Sequence, residues 1–117
     1  MTIGWKLTEQ CRAALLAAYP ARYANVVADH VTLSVGGTQA PHQVSHARIV
    51  GRADDGLGVE AMVVSIDDST VRPDGKTWHI TWSLAEGRVA RESNDVIAEL
   101  GWHAMDGGGL ALFPAHW

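Results

Sequence analysis

Two stretches of this chain alternate strictly between polar and apolar residues, and they do so in the same order. His30-Val31-Thr32-Leu33-Ser34-Val35 and His79-Ile80-Thr81-Trp82-Ser83-Leu84 share the form His-apolar-Thr-apolar-Ser-apolar, offset by 79 − 30 = 49 positions. Strict alternation predicts strands. Gly36-Gly37 ends the first. Between them, residues 46–52 and 59–67 are rich in β-formers, and the turn signal Asp54-Asp55-Gly56 predicts that they make a hairpin. Arg72-Pro73-Asp74-Gly75 predicts a second tight reversal.

Helical spacing appears elsewhere. Leu7, Cys11, Ala14, Leu15 and Ala18 fall on one face of a helix expected over residues 7–18, with Thr8 as its N-cap and Pro20 as its stop. Residues 21–29 read as a further helical turn or two, with Tyr23, Val26 and Val27 packing on the core. Ser93 or Asn94 is a cap for a short helix running to Leu100, where Asp95 suits the positive end and Gly101 the stop. Gly107-Gly108-Gly109 reads as a linker before an edge strand through Leu110, Leu112 and Phe113. Strands and helices in this order, in 117 residues, predict one α+β domain over residues 1–117.

Composition narrows the function classes. The net charge is −4, and the basic residues are scattered from Lys6 to Arg91. Binding to long nucleic acid needs a basic stripe that displaces counterions, so a nucleic-acid ligand should be short or met at an end. The single cysteine, Cys11, allows no internal disulfide and is expected in the core. No apolar run reaches the roughly 20 residues that span a bilayer. Residues 1–6 lack the basic start and apolar run of a secretory signal, so the expected location is the cytoplasm and no membrane partner is expected.

The repeated hexapeptide carries the chemistry. Successive strand side chains point to opposite faces, so His30, Thr32 and Ser34 share one face, and His79, Thr81 and Ser83 share another. If both strands lie centrally in one sheet, two imidazoles and two threonine hydroxyls converge on a groove, with Ser34 and Ser83 lining it. Imidazole titrates near neutral pH, so one ring takes a proton while the other gives one. The hydroxyls of Thr32 and Thr81 would hold the non-bridging oxygens of a phosphate. No metal or other cofactor is called for. Trp78 and Trp82 alternate away from this face and are expected in the core. His42 and His46 have the four-residue spacing of a helical metal pair, but Pro41 precedes them and a β-like run follows. Among the arginines at 48, 52, 88 and 91, Arg91 just after the second motif is the candidate phosphate clamp.

At these residues the sequence resembles the two-histidine phosphoesterase superfamily, and within it the cyclic phosphodiesterase domain of plant and fungal tRNA ligases. His30-Val31-Thr32-Leu33 matches the first motif and His79-Ile80-Thr81-Trp82 the second, while Val89-Ala90-Arg91-Glu92-Ser93-Asn94 is similar to the stretch that follows it. The resemblance implies pseudo-symmetric antiparallel sheets forming a central cleft, with helices packed outside. It implies metal-independent opening of 2′,3′-cyclic phosphates or related nucleotide or RNA-end diesters, with His30, Thr32, His79 and Thr81 catalytic. The alternative class is a module that binds a nucleotide or RNA end in the same groove without cleaving it.

Overall fold

The computed structural model describes residues 1–117. In chain order the elements are β1 (Ile3–Leu7), α1 (Glu9–Ala18), β2 (Asn25–Val26), β3 (His30–Ser34), β4 (Ala47–Asp54), β5 (Val59–Ile66), β6 (His79–Leu84), α2 (Glu92–Leu100), β7 (His103–Gly109) and β8 (Leu112–His116). They form two antiparallel sheets, one ordered β3-β1-β8 and the other β2-β6-β5-β4-β7. The class is α+β, as the sequence pattern implies.

The centre of the large sheet is β5, in which every residue is buried. Its two faces serve two cores. Met62, Val64 and Ile66 pack with Ile49, Ile80 and Trp82 against Trp5 and Val31 of the small sheet and Leu15 of α1. Ala61 and Val63 pack with Val96 and Ile97 of α2 on the opposite face. Trp5 and Trp78 meet edge to face, ring centres 5.6 Å apart at 70°. The small sheet and α1 thus cover one side of the large sheet, and α2 covers the other.

Four local expectations are corrected. Residues 3–7, Leu7 included, form a strand, because β1 gains its hydrogen bonds from β3 and β8, both distant in sequence. Helix α1 then starts after Thr8, whose hydroxyl accepts from the Cys11 N–H, and its buried side runs through Cys11, Leu15 and Tyr19 while Ala14 and Ala18 face solvent. Residues 21–29 are not helical: Asn25 and Val26 pair with Leu84 and Ser83 of β6. The triple glycine is no linker but the end of β7, with Gly108 and Gly109 opposite Ile49 and Arg48. At Gly107 there is no room for a side chain, since a Cβ would stand 2.6 Å from the Ile49 Cβ.

One segment joins the sheets. After pairing with β6, the chain continues with Val27 N–H to Trp82 O and Ala28 N–H to Thr81 O, both 3.0 Å. It then turns into β3, where Asp29 O accepts from Leu7 N–H and His30 pairs with Lys6. The turn occurs at Ala28, which is buried and sits at φ 41 in the left-handed region. Arg12 of α1 locks it by donating to the carbonyls of Ala28 (2.9 Å) and Val27 (3.2 Å).

Candidate active site

Strands β3 and β6 do not lie together in one sheet, the condition under which the sequence pattern would make their side chains converge. β3 is an edge of the small sheet, and β6 lies between β2 and β5 in the large one. The side chains of both nonetheless line a single cleft of about 370 Å³, together with the start of α2 and the 72–76 turn. That volume falls within the ~300–1,000 Å³ range of small-molecule sites. His30, Thr32, Ser34, His79, Thr81 and Arg91 all border it.

Ser83 does not, and its assignment to the groove is corrected. Alternation holds through Ile80 and Trp82, which enter the core beneath the small sheet, but Leu84 enters the core beneath α2. The pairing of β5 with β6 slips between Glu60 opposite Ser83 and Ala61 opposite Thr81. This bulge inserts one residue and reverses the facing of everything beyond it. Ser83 is fully buried, donates to Glu60 Oε1 at 2.6 Å and accepts from Tyr23 N–H at 3.2 Å.

The two imidazoles have opposite partners. His79 Nδ1 lies 2.8 Å from the Thr77 carbonyl, which only a protonated Nδ1 can satisfy, so Nε2 is left as the lone-pair nitrogen. Burial pushes the His79 pKa below its ordinary 6.5, the Thr77 carbonyl opposes this, and the nearby Arg72 and His30 charges lower it further. His30 Nδ1 instead lies 3.1 Å from Asp29 Oδ2. His30 therefore has a carboxylate at Nδ1, where His79 has a backbone carbonyl.

The threonines also differ. Thr32 Oγ1 has no hydrogen-bond partner within the chain, while Thr81 Oγ1 donates to the Ala90 carbonyl (3.3 Å) and lies 2.9 Å from Ser93 Oγ. The hydroxyl of Ser34 is turned onto the Gly36 carbonyl of its own loop. Arg48, Arg52 and Arg88 are all paired with carboxylates, whereas Arg91 has no such partner and stands exposed at the cleft rim.

Several lining residues escaped sequence reading. Arg72 is buried in the wall, forked onto Asp74 with bonds of 3.0 and 2.9 Å and donating to the Thr32 carbonyl at 3.3 Å. Its tetrapeptide signals a turn but says nothing of what the turn folds against. Lys76, Asn94 and Trp117 also face the cleft. The charged lining other than histidine is Arg72, Lys76 and Arg91 against Asp74, so 3 − 1 = +2 in a chain whose net charge is −4. A cationic cleft in an acidic protein favours an anion. His42 and His46 are exposed in the loop before β4, away from this site. No helix is long and apolar enough to cross a membrane. Comparison with protein-family models, curated proteins and solved structures finds no match to this chain.

Proposed function

We propose that the chain is a metal-independent phosphodiesterase of the two-histidine kind, opening a 2′,3′-cyclic phosphate or a related diester of a nucleotide or RNA end. The observation that carries this reading is the pairing of two imidazoles with unlike partners in one cationic cleft. One sheet bearing each His-x-Thr motif, with helices outside, also fits the two-lobed fold of that superfamily, and such chemistry suits a cytoplasmic role in RNA processing or repair.

In this mechanism His79 Nε2 removes a proton from water, and the water oxygen forms the new bond to phosphorus. The bond from phosphorus to one ribose oxygen breaks in line with the attack. His30 Nε2–H delivers a proton to that departing oxygen. The proton taken by His79 returns to solvent and His30 is reprotonated, so the net change is addition of one water. Asp29 orients the His30 ring through Nδ1, while Thr32, Arg72 and Arg91 surround the non-bridging oxygens with donors.

His30→Ala and His79→Ala should each lower turnover by about 10²–10⁴-fold, the usual worth of a general acid or base, with unchanged circular dichroism. The assay is phosphorus NMR of 2′,3′-cyclic mononucleotides, cyclic dinucleotides and RNA with a cyclic end, with and without EDTA. Wild-type rates in either variant would end the proposal. One observation favours the binding-module alternative: the Thr81 proton is committed to Ala90, not to the cleft. Tight retention of an unchanged ligand over long incubation would establish that reading instead.

A further inference from the structure

Trp117 is held in the cleft wall by a two-bond rung, its N–H to Thr2 O and Thr2 N–H to its own O, both 2.9 Å. Its indole centre lies 4.5 Å from that of His30 at an angle of 51°, with the Lys6 ammonium 5.5 Å from the ring centre. The residue keeps 37 % of its surface in solvent although one side is packed. Only Val35, Ala90 and Trp117 are apolar among the cleft residues. Ala90 sits beside Thr81, whereas Trp117 packs on His30, so the aromatic surface lies at the His30 side.

We propose that Trp117 is a stacking platform for the nucleobase of the ligand, with Val35 at its rim. The placement rests on the phosphodiesterase reading above. In-line displacement puts water at His79 and the departing ribose oxygen at His30, on opposite sides of phosphorus. The ribose then extends past His30, and the base attached to it reaches the indole. The chemistry of the wall selects the occupant. An otherwise polar, cationic cleft gives an alkyl chain few apolar side chains to pack against, while one exposed indole offers a flat π-surface that any base can cover. A phosphate ester without an aromatic group would leave this surface wet.

The test separates the platform from the catalysis. Adenosine 3′-monophosphate and glycerol 2-phosphate, one with a base and one without, are titrated into the full chain while the indole N–H cross-peaks are followed by NMR. Trp117→Phe identifies the Trp117 peak by its loss. We expect that peak to shift with the nucleotide only, and the nucleotide to bind roughly 5- to 150-fold more tightly, the usual worth of one stacked base. Trp117→Ala should bring the affinity ratio near one, and Trp117→Phe should restore most of it. Equal affinities in the wild type, or a ratio that survives Trp117→Ala, would overturn the platform. Base-dependent binding without turnover of adenosine 2′,3′-cyclic phosphate would leave the platform standing and remove the enzymatic reading. Turnover without base dependence would do the reverse.

Discussion

Ser83→Ala distinguishes the repeat seen in the sequence from the bulge seen in the fold. The serine hydroxyl donates at 2.6 Å to Glu60, a carboxylate with no solvent exposure, and accepts from the Tyr23 N–H. Arg52 and the Arg22 N–H still hold Glu60 after the change, so the charge is not orphaned. The loss is therefore one charge-assisted bond, about 1.5–3 kcal/mol, plus one ordinary bond of about 0.5–1.5 kcal/mol, together about 2–4.5 kcal/mol. With an unfolding entropy of about 2.1 cal/mol/K per residue, 117 residues give about 0.25 kcal/mol per kelvin. The midpoint should fall by about 8–18 °C in differential scanning calorimetry. At a temperature where the variant is folded, kcat/KM for a cyclic phosphate should stay within about threefold of wild type. A fully stable variant with turnover lost by 10²-fold or more, the cost of a missing oxyanion donor, would mean that Ser83 faces the phosphate and that the bulge is misplaced.

Other outcomes follow from the same geometry. Because His79 is held below its ordinary value of 6.5, chiefly by burial, the proposed base stays neutral into mildly acidic solution, and the acid limb of the proposed turnover should lie below pH 6.5. Arg72→Met removes one of the lowering charges and should move that limb upward in a pH–rate profile; no movement would refute the coupling. Stability carries the matching sign. The unfolded chain binds more protons at this site, so the His79 contribution is present above about pH 6.5 and lost as pH falls through the folded value, a slope that His79→Gln should remove from urea titrations. Ala28→Gly should be close to neutral, since relief of a left-handed residue, about 1–2 kcal/mol, offsets the lost methyl and added chain entropy, about 0.8 and 0.5–1 kcal/mol. Ala61→Gly in β5 has no such relief and should cost roughly 1–2 kcal/mol more by denaturant melts; equal costs would argue against strain at Ala28. Gly4→Ala should unfold the small sheet, because its Cβ would stand 2.1 Å from the Val31 carbonyl, whereas Gly51→Ala meets the Trp102 ring at 2.0 Å and should chiefly swing that exposed indole outward, as fluorescence would report.

What the sequence made legible is what local pattern encodes. The alternation of residues 30–34 and 79–82, the β4–β5 hairpin with its Asp55 turn and the Thr8 cap are all properties of a few adjacent residues. The elements missed depend on distant partners. Ile3–Leu7 is too short and too mixed to announce a strand until β3 and β8 flank it. Ser83 was misplaced because period-two reasoning has no sign of an inserted residue. Arg72 and Trp117 enter the site only through tertiary contacts, with the Thr32 carbonyl and with Thr2 and His30. The carboxylate of Asp29 stood next to His30 in plain sight, yet adjacent strand residues face opposite ways by rule, and it is the kink at Ala28 that lets the two meet.

That kink also explains why a cleft exists at all. Asn25 and Val26 pair with Leu84 and Ser83, so a strand continued in that register would set His30 directly opposite His79. Side chains so opposed sit about 4.5–5.5 Å apart at Cβ, in contact across one sheet with no space for a phosphate between them. The chain avoids this by leaving the large sheet at Ala28 and joining the small one at His30. The left-handed turn rotates the strand out of the β6 plane, and Arg12 holds both freed carbonyls in the turned position. The His30 imidazole remains close enough to help lower the His79 pKa, yet both rings border an open cleft instead of each other. The repeat in the sequence supplies the two imidazoles, and one strained alanine supplies the gap that both of them border.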